Sequence, residues 1–270
     1  MNRSLLKAIS LNSTQSAARS ASSSVTHSAN KNKQFFIGDL HLDPENLSSL
    51  ALAERFFAQA RGAKALYILG DLFEYWVGDD VGVDAYASTL KALLELSDSG
   101  CELWLMHGNR DFLIGEQFAH ACHAHVVVED ELIIELDGIP VLLMHGDTLC
   151  TDDIDYQRFR AQMRDASWQQ QFLAQTVEQR IAYANQLREQ SRVNSAAKSA
   201  QIMDVNEDQV QQRLQSNDTT ILIHGHTHKP AIHHYPELAA QRFVVGDWHN
   251  DHAQYVVHDH TGLHLRQLNA

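Results

Sequence analysis

Short apolar runs recur along the chain, and many of them end beside a glycine and a polar residue. Apolar runs of this kind, bounded by turn signals, predict strands that are buried in a sheet. We interpret as strands the runs 34–38, 65–69, 102–106, 125–128, 131–136, 139–144, 221–223, 243–245 and 255–257. The first three are separated by segments long enough for helices, whereas the next three follow one another closely.

Apolar residues at helical spacing lie between several of these runs. Asp43 and Pro44 are typical of an N-cap and a first helical position, so they predict a helix directly after the first strand. Leucines at helical spacing predict one helix over 84–96, which Gly100 ends. Residues 156–198 repeat apolar positions four apart and predict further helices. The alternation predicts an α/β domain with short loops at the carboxyl ends of its strands.

Composition narrows the class of protein. Hydrophobic residues make up 44% and charged residues 20%, which is typical of a folded globular chain. The formal net charge of −13 argues against nucleic acid as a partner, because nucleic-acid-binding surfaces are basic. Three widely spaced cysteines without a CxxC pair argue against a disulfide framework or a zinc ribbon and favour a reducing compartment. No apolar run is long enough to predict a membrane span.

Two segments are basic within this acidic chain. Residues 1–33 contain nine serines and five lysine or arginine residues but no acidic residue. So polar a segment predicts disorder, and an organelle transit peptide or a dispensable tail are alternative interpretations. We therefore take 34–270 as the folded domain. Residues 156–198 carry seven basic and three acidic residues and look like an insertion with its own role. The alternative is ordinary packing helices with a solvated basic face.

Side chains that bind metals follow five of the predicted strands. These side chains are Asp39, His41, Asp71, Asn109, His145, His226 and His228. Strands of one sheet deliver the residues at their carboxyl ends into a common crevice. Mixed carboxylate, imidazole and amide ligands suit manganese, iron or zinc better than calcium. A single ion does not need seven protein ligands, whereas two ions that share one carboxylate would use them all and could clamp a phosphate.

Each of these short motifs has a structural alternative when it is considered alone. A D-x-H triplet arises often by chance, and the aspartate of His145-Gly146-Asp147 could cap a helix. The His-Thr-His triplet could form a turn of the core. The chain contains 17 histidines, and most of them need not bind anything. The occurrence of all five motifs at strand ends favours the metal site.

In this order the motifs D-L-H, G-D, G-N-x-D, H-G-D and G-H-T-H resemble those of the calcineurin-like metallophosphoesterase superfamily over residues 34–270. The resemblance implies an α/β fold of four layers (α+β four-layer), in which a two-sheet β-sandwich is flanked by helices. It also implies two metal ions per subunit. One ion would be held by Asp39, His41, Asp71 and His228. The other would be held by Asp71, Asn109, His145 and His226, so that Asp71 bridges the two. His224 lies outside the motif and is not included.

Arg110 departs from the superfamily pattern, which has histidine after the asparagine. Arginine stays protonated and is a poor general acid, but it can bind phosphate through two parallel hydrogen bonds. An alkoxide leaving group would lack a proton donor here, whereas a phosphate leaving group departs as a stable anion. Arg110 therefore favours cleavage of a phosphoanhydride. The alternative is a surface ion pair between Arg110 and Asp111.

Four longer phrases resemble one branch of the superfamily, the UDP-2,3-diacylglucosamine diphosphatases. They are residues 73–80 (FEYWVGDD), 108–115 (GNRDFLIG), 144–153 (MHGDTLCTDD) and 202–206 (IMDVN). The resemblance implies hydrolysis of the pyrophosphate bond of UDP-2,3-diacylglucosamine by attack of a metal-activated water on the α-phosphorus. The products would be UMP and 2,3-diacylglucosamine 1-phosphate (lipid X), in lipid A biosynthesis, with two Mn²⁺ per subunit as cofactor.

The same resemblance implies site residues and a location. Asp71, Asn109 and Arg110 would be catalytic, and 156–198 would form a helical lid over the acyl chains. Substrate contacts would come from Asn109, Arg110, Asp153, Ser191, Ser195, Lys198 and His226, with Asn194 as an alternative to Ser195. We further predict a monomer that associates peripherally with the cytoplasmic face of the inner membrane through its basic amphipathic helices. Alternatives are a dinuclear-metal hydrolase of another nucleotide diphosphate, and a metal-poor binding scaffold with eroded ligands.

Overall fold

Two sheets that face each other across an apolar layer form the centre of the computed structural model, which describes residues 30–197 and 204–270. In chain order the strands of these residues are β1 (Gln34–Ile37), β2 (Ala65–Ile68), β3 (Glu102–Met106), β4 (Ala124–Val127), β5 (Glu131–Leu136), β6 (Ile139–Met144), β7 (Ile221–His224), β8 (Ala231–Tyr235), β9 (Ala240–Val244), β10 (His252–Asp259) and β11 (Gly262–Asn269). The first sheet has the order β11-β10-β1-β2-β3-β4, and the second has the order β5-β6-β7-β9-β8.

Parallel pairing brings the carboxyl ends of the central strands together. Strands β1 to β4 are mutually parallel, with Phe36 opposite Tyr67 and Tyr67 opposite Trp104. In the second sheet β6, β7 and β9 are parallel, whereas β5 and β8 are antiparallel at the edges. The loops that follow β1, β2, β3, β6 and β7 therefore meet at one end of the sandwich, as the strand-end motifs predict.

Helices cover both outer faces of the sandwich. In chain order the α-helices of the described residues are α1 (Leu47–Ala60), α2 (Asp79–Ala85), α3 (Ala87–Asp98), α4 (Glu116–Cys122), α5 (Ile154–Met163), α6 (Ala166–Leu173), α7 (Val177–Ala197) and α8 (Glu207–Ser216). Helices α1, α3 and α4 pack on the first sheet, and α8 packs on the second. The four-layer α/β sandwich predicted from the sequence is therefore confirmed.

Strand periodicity divides the apolar side chains between the layers. Phe36 points into the space between the sheets, whereas Phe35 and Ile37 point toward the helices. In β6, Leu143 lies between the sheets and Leu142 faces α8. Each fully buried side chain of this size contributes about 2 kcal/mol relative to an exposed one. Because both faces of these strands are covered, they are apolar throughout, and this made them recognisable in the sequence.

Two helix predictions were wrong in detail. The first helix begins after Asn46, whose side-chain oxygen accepts a hydrogen bond from the Ser49 N–H, and not at Asp43 and Pro44. The helix expected over 84–96 is two helices, α2 and α3, which meet at Tyr86. Tyr86 is buried against Phe73, with ring centroids 4.1 Å apart, so its packing on the core fixes the break.

Some elements have no continuous apolar run and were missed. Strands β8 (AIHHY) and β11 (GLHLRQLN) contain several polar residues and are only partly buried, so neither has a continuous apolar run. Helices α4 and α8 are only 7 and 10 residues long, so they offer few apolar positions.

Residues 30–33 pack against the domain, although the charge pattern groups them with the basic extension. Asn30 is buried, and its side-chain amide donates to the backbone oxygens of Gln59, at 2.7 Å, and Arg61. The rest of that predicted extension, 1–29, lies outside the described residues. Within the described chain, no helix has both the length and the apolar character to cross a bilayer.

Helices α5, α6 and α7 occupy Ile154–Ala197 and match the helices predicted for 156–198. We call them the cover helices. They connect the second sheet's β6 to α8 and lie beside the loops at the carboxyl ends of the strands.

Candidate metal centre and cleft

Strained loops carry the seven candidate metal ligands, which we call the ligand cluster. Five of them have a left-handed backbone, with φ of 56° at Asp39, 47° at His41, 52° at Asp71, 69° at His226 and 52° at His228. Residues other than glycine rarely adopt this conformation, and its concentration at one place indicates a functional site.

Neighbouring glycines let these loops approach one another. A Cβ atom on Gly108 would lie 2.1 Å from Oδ1 of Asp71, and one on Gly225 would lie 2.5 Å from Oδ2 of Asp39. Neither space admits a side chain, so glycine is required for close approach at both positions. Steric exclusion of any larger side chain therefore explains why glycine lies beside these motifs.

The first half of the ligand cluster contains Asp39, His41 and His228. The Nε2 atoms of His41 and His228 are 3.1 Å apart and their rings are stacked. Ligand atoms of Asp39, His41 and His228 all lie within 4.8 Å of one another. Oδ2 of Asp71 is 3.8 Å from Nε2 of His41, so this oxygen faces the first half.

The second half contains Asn109, His145 and His226. Oδ1 of Asn109 is 2.9 Å from Nε2 of His145 and 2.9 Å from Nδ1 of His226. Nδ1 of His145 lies 2.8 Å from the Leu69 carbonyl oxygen, which fixes the ring with Nε2 toward the cluster. Oδ1 of Asp71 is 3.8 Å from Nε2 of His145. The two oxygens of Asp71 therefore face different halves, which is the geometry of a bridging carboxylate.

Burial gives the ligand cluster unfavourable electrostatics without a cation. It raises the pKa of Asp39 to about 8, and it lowers the pKa of His41 to about 3 and that of His226 to about 4. For Asp71, burial opposes ionisation, but nearby His145, His41 and Arg110 outweigh it and lower the pKa. Neutral imidazoles and ionised carboxylates are the forms that bind metals.

Asp39 also has an unsatisfied atom. Its Oδ1 is buried and finds no hydrogen-bond partner among the described residues, while Oδ2 accepts from the backbone N–H of His226 at 2.7 Å. A buried carboxylate oxygen without a partner is costly, and a metal ion would satisfy it. The donor set therefore fits divalent ions, and its two halves indicate a dinuclear site.

Asp111 holds the loops that carry Asp71 and Asn109 by binding their backbone N–H groups. It is fully buried, and its carboxylate accepts from the backbone N–H groups of Gly108 at 2.9 Å, Asp71 at 3.2 Å and Leu72 at 2.7 Å. Burial, with Asp71 nearby, raises the pKa of Asp111 to about 6. These bonds hold the loops after β2 and β3 together. They also exclude the alternative of a surface ion pair between Arg110 and Asp111.

Arg110 instead shares a carboxylate with a cover helix. One oxygen of Glu74 accepts from Nη1 of Arg110 at 3.1 Å and lies 3.0 Å from Nε of Arg188 on α7. The other oxygen of Glu74 is 3.6 Å from Nδ1 of His41. Burial raises the pKa of Glu74, although both arginines oppose the shift. Glu74 and Arg188 were not predicted as site residues, because their meeting depends on elements that are distant in sequence.

Asp147 attaches the cover helices to the sandwich. It does not cap a helix with its side chain, since Oδ2 accepts from Oη of Tyr156 at 2.7 Å and from Nε of Arg160 at 2.6 Å. Burial disfavours its charge, but His145 and Arg160 outweigh this and hold the pKa well below its usual range. Arg164 donates to the Gly108 carbonyl oxygen at 3.0 Å. Several basic residues of the cover are therefore engaged with the core.

A cleft of about 490 Å³ lies between the ligand cluster and the cover helices. Candidate metal ligands such as His41 and Asp71 line this cleft together with Arg110 and Arg188. Apolar side chains also line it, namely Trp76, Val77, Phe112, Leu113, Phe159, Met163, Trp168, Phe172, Tyr183 and Leu187. Among the latter, Phe112, Trp168, Phe172 and Tyr183 are in ring contact, and we call this group the apolar end of the cleft.

The predicted substrate contacts fall into two groups. Asn109, Arg110, Asp153 and His226 line the cleft, and Asp153 also accepts from the Tyr156 N–H as the N-cap of α5. Ser191 and Ser195 belong to the backbone of α7, but their side chains lie outside the described part of the chain, as does Lys198. The structure therefore brings together the ligand cluster and four of the predicted contacts.

Comparison with known proteins gives consistent results. The model of the calcineurin-like phosphoesterase family matches residues 33–230. A protein of Stenotrophomonas maltophilia named UDP-2,3-diacylglucosamine hydrolase is 46% identical over 224 residues, which cover 79% of this chain and 90% of that protein. Proteins of the same name from Chromohalobacter salexigens and Edwardsiella ictaluri are 46% and 42% identical, covering 78% and 87% of this chain and 87% and 92% of their own lengths.

Proposed function

The chain belongs to the calcineurin-like phosphoesterase family and, within it, to the UDP-2,3-diacylglucosamine hydrolases, and from this premise we propose how its residues carry out the reaction. The enzyme hydrolyses the pyrophosphate bond of UDP-2,3-diacylglucosamine to UMP and 2,3-diacylglucosamine 1-phosphate, in lipid A biosynthesis. The observation that carries this conclusion is the cleft, whose lining combines charged groups suited to a pyrophosphate with apolar side chains suited to acyl chains.

The ligand cluster would hold two ions, Mn²⁺ in our proposal. Asp39, His41 and His228 would bind one, Asn109, His145 and His226 the other, and Asp71 both. When bound, such a pair neutralises phosphate charge and activates water for in-line attack on phosphorus. The protein's part is to hold Asp71 with one oxygen toward each half, which the bonds of Asp111 to the neighbouring backbone support.

Arg110 and Arg188 would bind the pyrophosphate oxygens. Both guanidinium groups line the cleft, and both contact the same oxygen of Glu74. As the bond from the α-phosphorus to the bridging oxygen breaks, negative charge grows on the departing sugar phosphate. Guanidinium groups stabilise that charge through charge-assisted hydrogen bonds. The leaving phosphate needs no proton from a general acid, so arginine suffices where the superfamily has histidine.

Asn109 and His226 would orient the scissile phosphate beside the cluster, since both line the cleft. Asp153, Ser191, Ser195 and Lys198 would contact other parts of the substrate. The aromatic side chains of the cover helices would bind the acyl chains, so residues 156–198 would act as a lid insertion in the domain 34–270. Burying apolar chain against them contributes about 25 cal/mol per Å².

Exposed apolar side chains of the cover helices support a location on the inner membrane, where the substrate lies. Ile154 and Leu173 are 59% and 43% exposed, so they are available for contact with lipid. We propose that they and nearby basic residues bind the cytoplasmic leaflet, and that the enzyme acts there as a monomer. Sedimentation with anionic vesicles tests this: the protein should pellet with them at low salt and be released at high salt, while failure to pellet contradicts the proposal.

UMP release from the diacylated substrate, with and without Mn²⁺, tests the activity. We expect turnover that disappears after chelation and returns most fully with Mn²⁺. UDP-N-acetylglucosamine, which carries a short acetyl group and no fatty acyl chain, is the matched control and should be a poor substrate. Equal turnover of the two would favour a hydrolase of other nucleotide diphosphates and would contradict the role of the cover helices.

A further inference from the structure

A second group of side chains that could bind a metal lies in the turn after β9 and at the first residue of β10. Asp247, His249 and His252 contribute one carboxylate and two imidazoles, whose ligand atoms all lie within 4.8 Å of one another. None of these residues belongs to the ligand cluster. They include two of the histidines near the end of the chain for which the proposed reaction gives no role.

The spacing of these atoms suits a single ion. Nε2 of His249 is 2.7 Å from Oδ1 of Asp247, and Nε2 of His252 is 3.7 Å from Oδ2 of the same carboxylate. A tetrahedral zinc ion with ordinary bond lengths holds its ligand atoms about 3.3 Å apart. The two observed distances lie on either side of that value, so small side-chain rotations would bring all three residues onto one ion.

A fourth residue orients one of the imidazoles. Oδ1 of Asp251 is 2.8 Å from Nδ1 of His252, which leaves Nε2 of that ring pointing toward Asp247. Histidines that bind metals commonly donate their other ring N–H to a carboxylate, which fixes the tautomer and makes the ring a better ligand. Asp251 and His252 have this arrangement without any contribution from the ligand cluster.

The turn is held in place by contacts on both sides. The His249 N–H donates to the His252 carbonyl oxygen at 2.9 Å. Oδ1 of Asn250 accepts from the side-chain amide of Asn46 at 2.9 Å, and Trp248 packs edge-on against an aromatic ring of α1. A site with three ligands on a fixed turn loses little conformational freedom when it binds an ion.

We propose that Asp247, His249 and His252 form an auxiliary site for a divalent transition-metal ion of the zinc type. Two imidazoles and one carboxylate suit such ions better than calcium or magnesium. Three protein ligands leave one position of a tetrahedral ion open to water or another ligand. The site begins one residue after Gly246, at which a Cβ atom would lie 2.7 Å from Asp39, so it is a close neighbour of the ligand cluster.

Counting zinc per chain tests the proposal without an activity assay. The full-length protein and the variants His249→Ala and His252→Ala are dialysed to equilibrium against Zn²⁺, and bound metal is measured by mass spectrometry. Because both variants keep the seven residues of the ligand cluster, the difference reports only the auxiliary site. We expect one zinc ion fewer per chain in each variant. Asp247→Asn, which preserves side-chain volume, should show the same loss.

Two further variants test whether zinc binds specifically at this site or nonspecifically at exposed histidines. His260→Ala removes an exposed histidine in the turn between β10 and β11 and should keep the wild-type zinc count. Asp251→Asn should weaken zinc affinity about 10- to 100-fold, because it removes only the group that orients His252. Equal zinc counts in the wild type, His249→Ala and His252→Ala would overturn the proposal, as would an equal loss in His260→Ala.

Discussion

The ligand cluster and the cover helices line the same cleft but are held in different ways. The cluster sits on short loops with strained backbones, and a buried carboxylate, Asp111, binds those loops through main-chain N–H groups. The cover helices are attached through side chains: Arg160 binds Asp147, Arg180 binds Asp80, and Met163 and Phe172 are buried. The backbone therefore fixes the positions of the candidate metal ligands. Side-chain contacts fix the cover helices, so residues of the cover helices can be substituted without moving the ligand cluster.

The attachment of the cover also varies along its length. At its start, the Arg160–Asp147 pair is largely buried, and losing one member of such a pair costs about 3–5 kcal/mol. Farther along, Arg188 is about half exposed, and pairs of that kind contribute about 0–1 kcal/mol. The cover helices are therefore attached strongly at α5 and only weakly at the side of α7 that faces Glu74. Substitutions in the ligand cluster should mainly lower kcat, whereas substitutions in the cover helices should mainly alter stability or KM.

The largest effect is expected from Asp71→Ala. Because its two oxygens face both halves of the ligand cluster, its loss should remove bound metal and lower kcat at least about 1000-fold, since bound ions contribute several kcal/mol to the transition state. Metal content and turnover are both measured. Asp98→Ala, at an exposed aspartate paired with His123, is the control and should behave as wild type. A variant with full metal content would contradict the bridging role.

Arg110→Ala should lower kcat about 100- to 1000-fold and leave metal content unchanged, because the side chain stabilises charge without binding an ion. Arg110→Lys should recover only part of the activity, since lysine cannot make the paired hydrogen bonds. Loss of metal in Arg110→Ala would show that Arg110 is needed for metal binding, and it would contradict a role confined to stabilising the charge of the phosphate.

Asp147→Ala should weaken the attachment of α5, the first of the cover helices, to the sandwich. It removes the acceptor for Tyr156 and leaves Arg160 without its most buried partner, so the free energy of unfolding should fall by about 3 kcal/mol. Chemical denaturation measures this. The matched change Asp155→Ala breaks only an exposed pair with Arg158 and should alter stability by less than about 0.5 kcal/mol. Equal effects of the two would show that the cover has no preferred anchor.

Trp168→Ala should have the smallest effect on kcat, and it should raise KM only for a substrate that carries acyl chains. Removing this ring from the apolar end of the cleft should raise KM for the diacylated substrate about 10-fold. Hydrolysis of bis(p-nitrophenyl) phosphate, which has no acyl chains, should stay at the wild-type rate. An equal loss with both substrates would mean that the cover supports the ligand cluster directly.

Central strands and the residues at their ends could be predicted from the sequence. Phe36, Leu66 and Leu143 are buried in strands covered on both faces, so their surroundings are apolar and the pattern is plain. The candidate ligands were found because chemically distinctive residues follow those strands. The strands β8 and β11, each partly open to solvent, carry a weaker pattern and could not be recognised in the same way.

Contacts between distant elements could not be predicted. Glu74 meets Arg188 because the cover folds back across the loop after β2, and nothing in the sequence near either residue indicates that pairing. Asp111 belongs to a recognised motif, but its bonds to the backbones of Asp71 and Leu72 depend on where two loops lie in space. Long-range geometry of this kind requires the packed structure.

Glu74 has a consequence for ligand selection. Without substrate, one of its oxygens already occupies the positive charges of Arg110 and Arg188. Each guanidinium directs only one of its nitrogens at Glu74 and has other N–H groups with which to bind a ligand. The carboxylate lowers the net positive charge that a ligand meets there, so it favours groups of high charge density, such as a pyrophosphate, over singly charged anions.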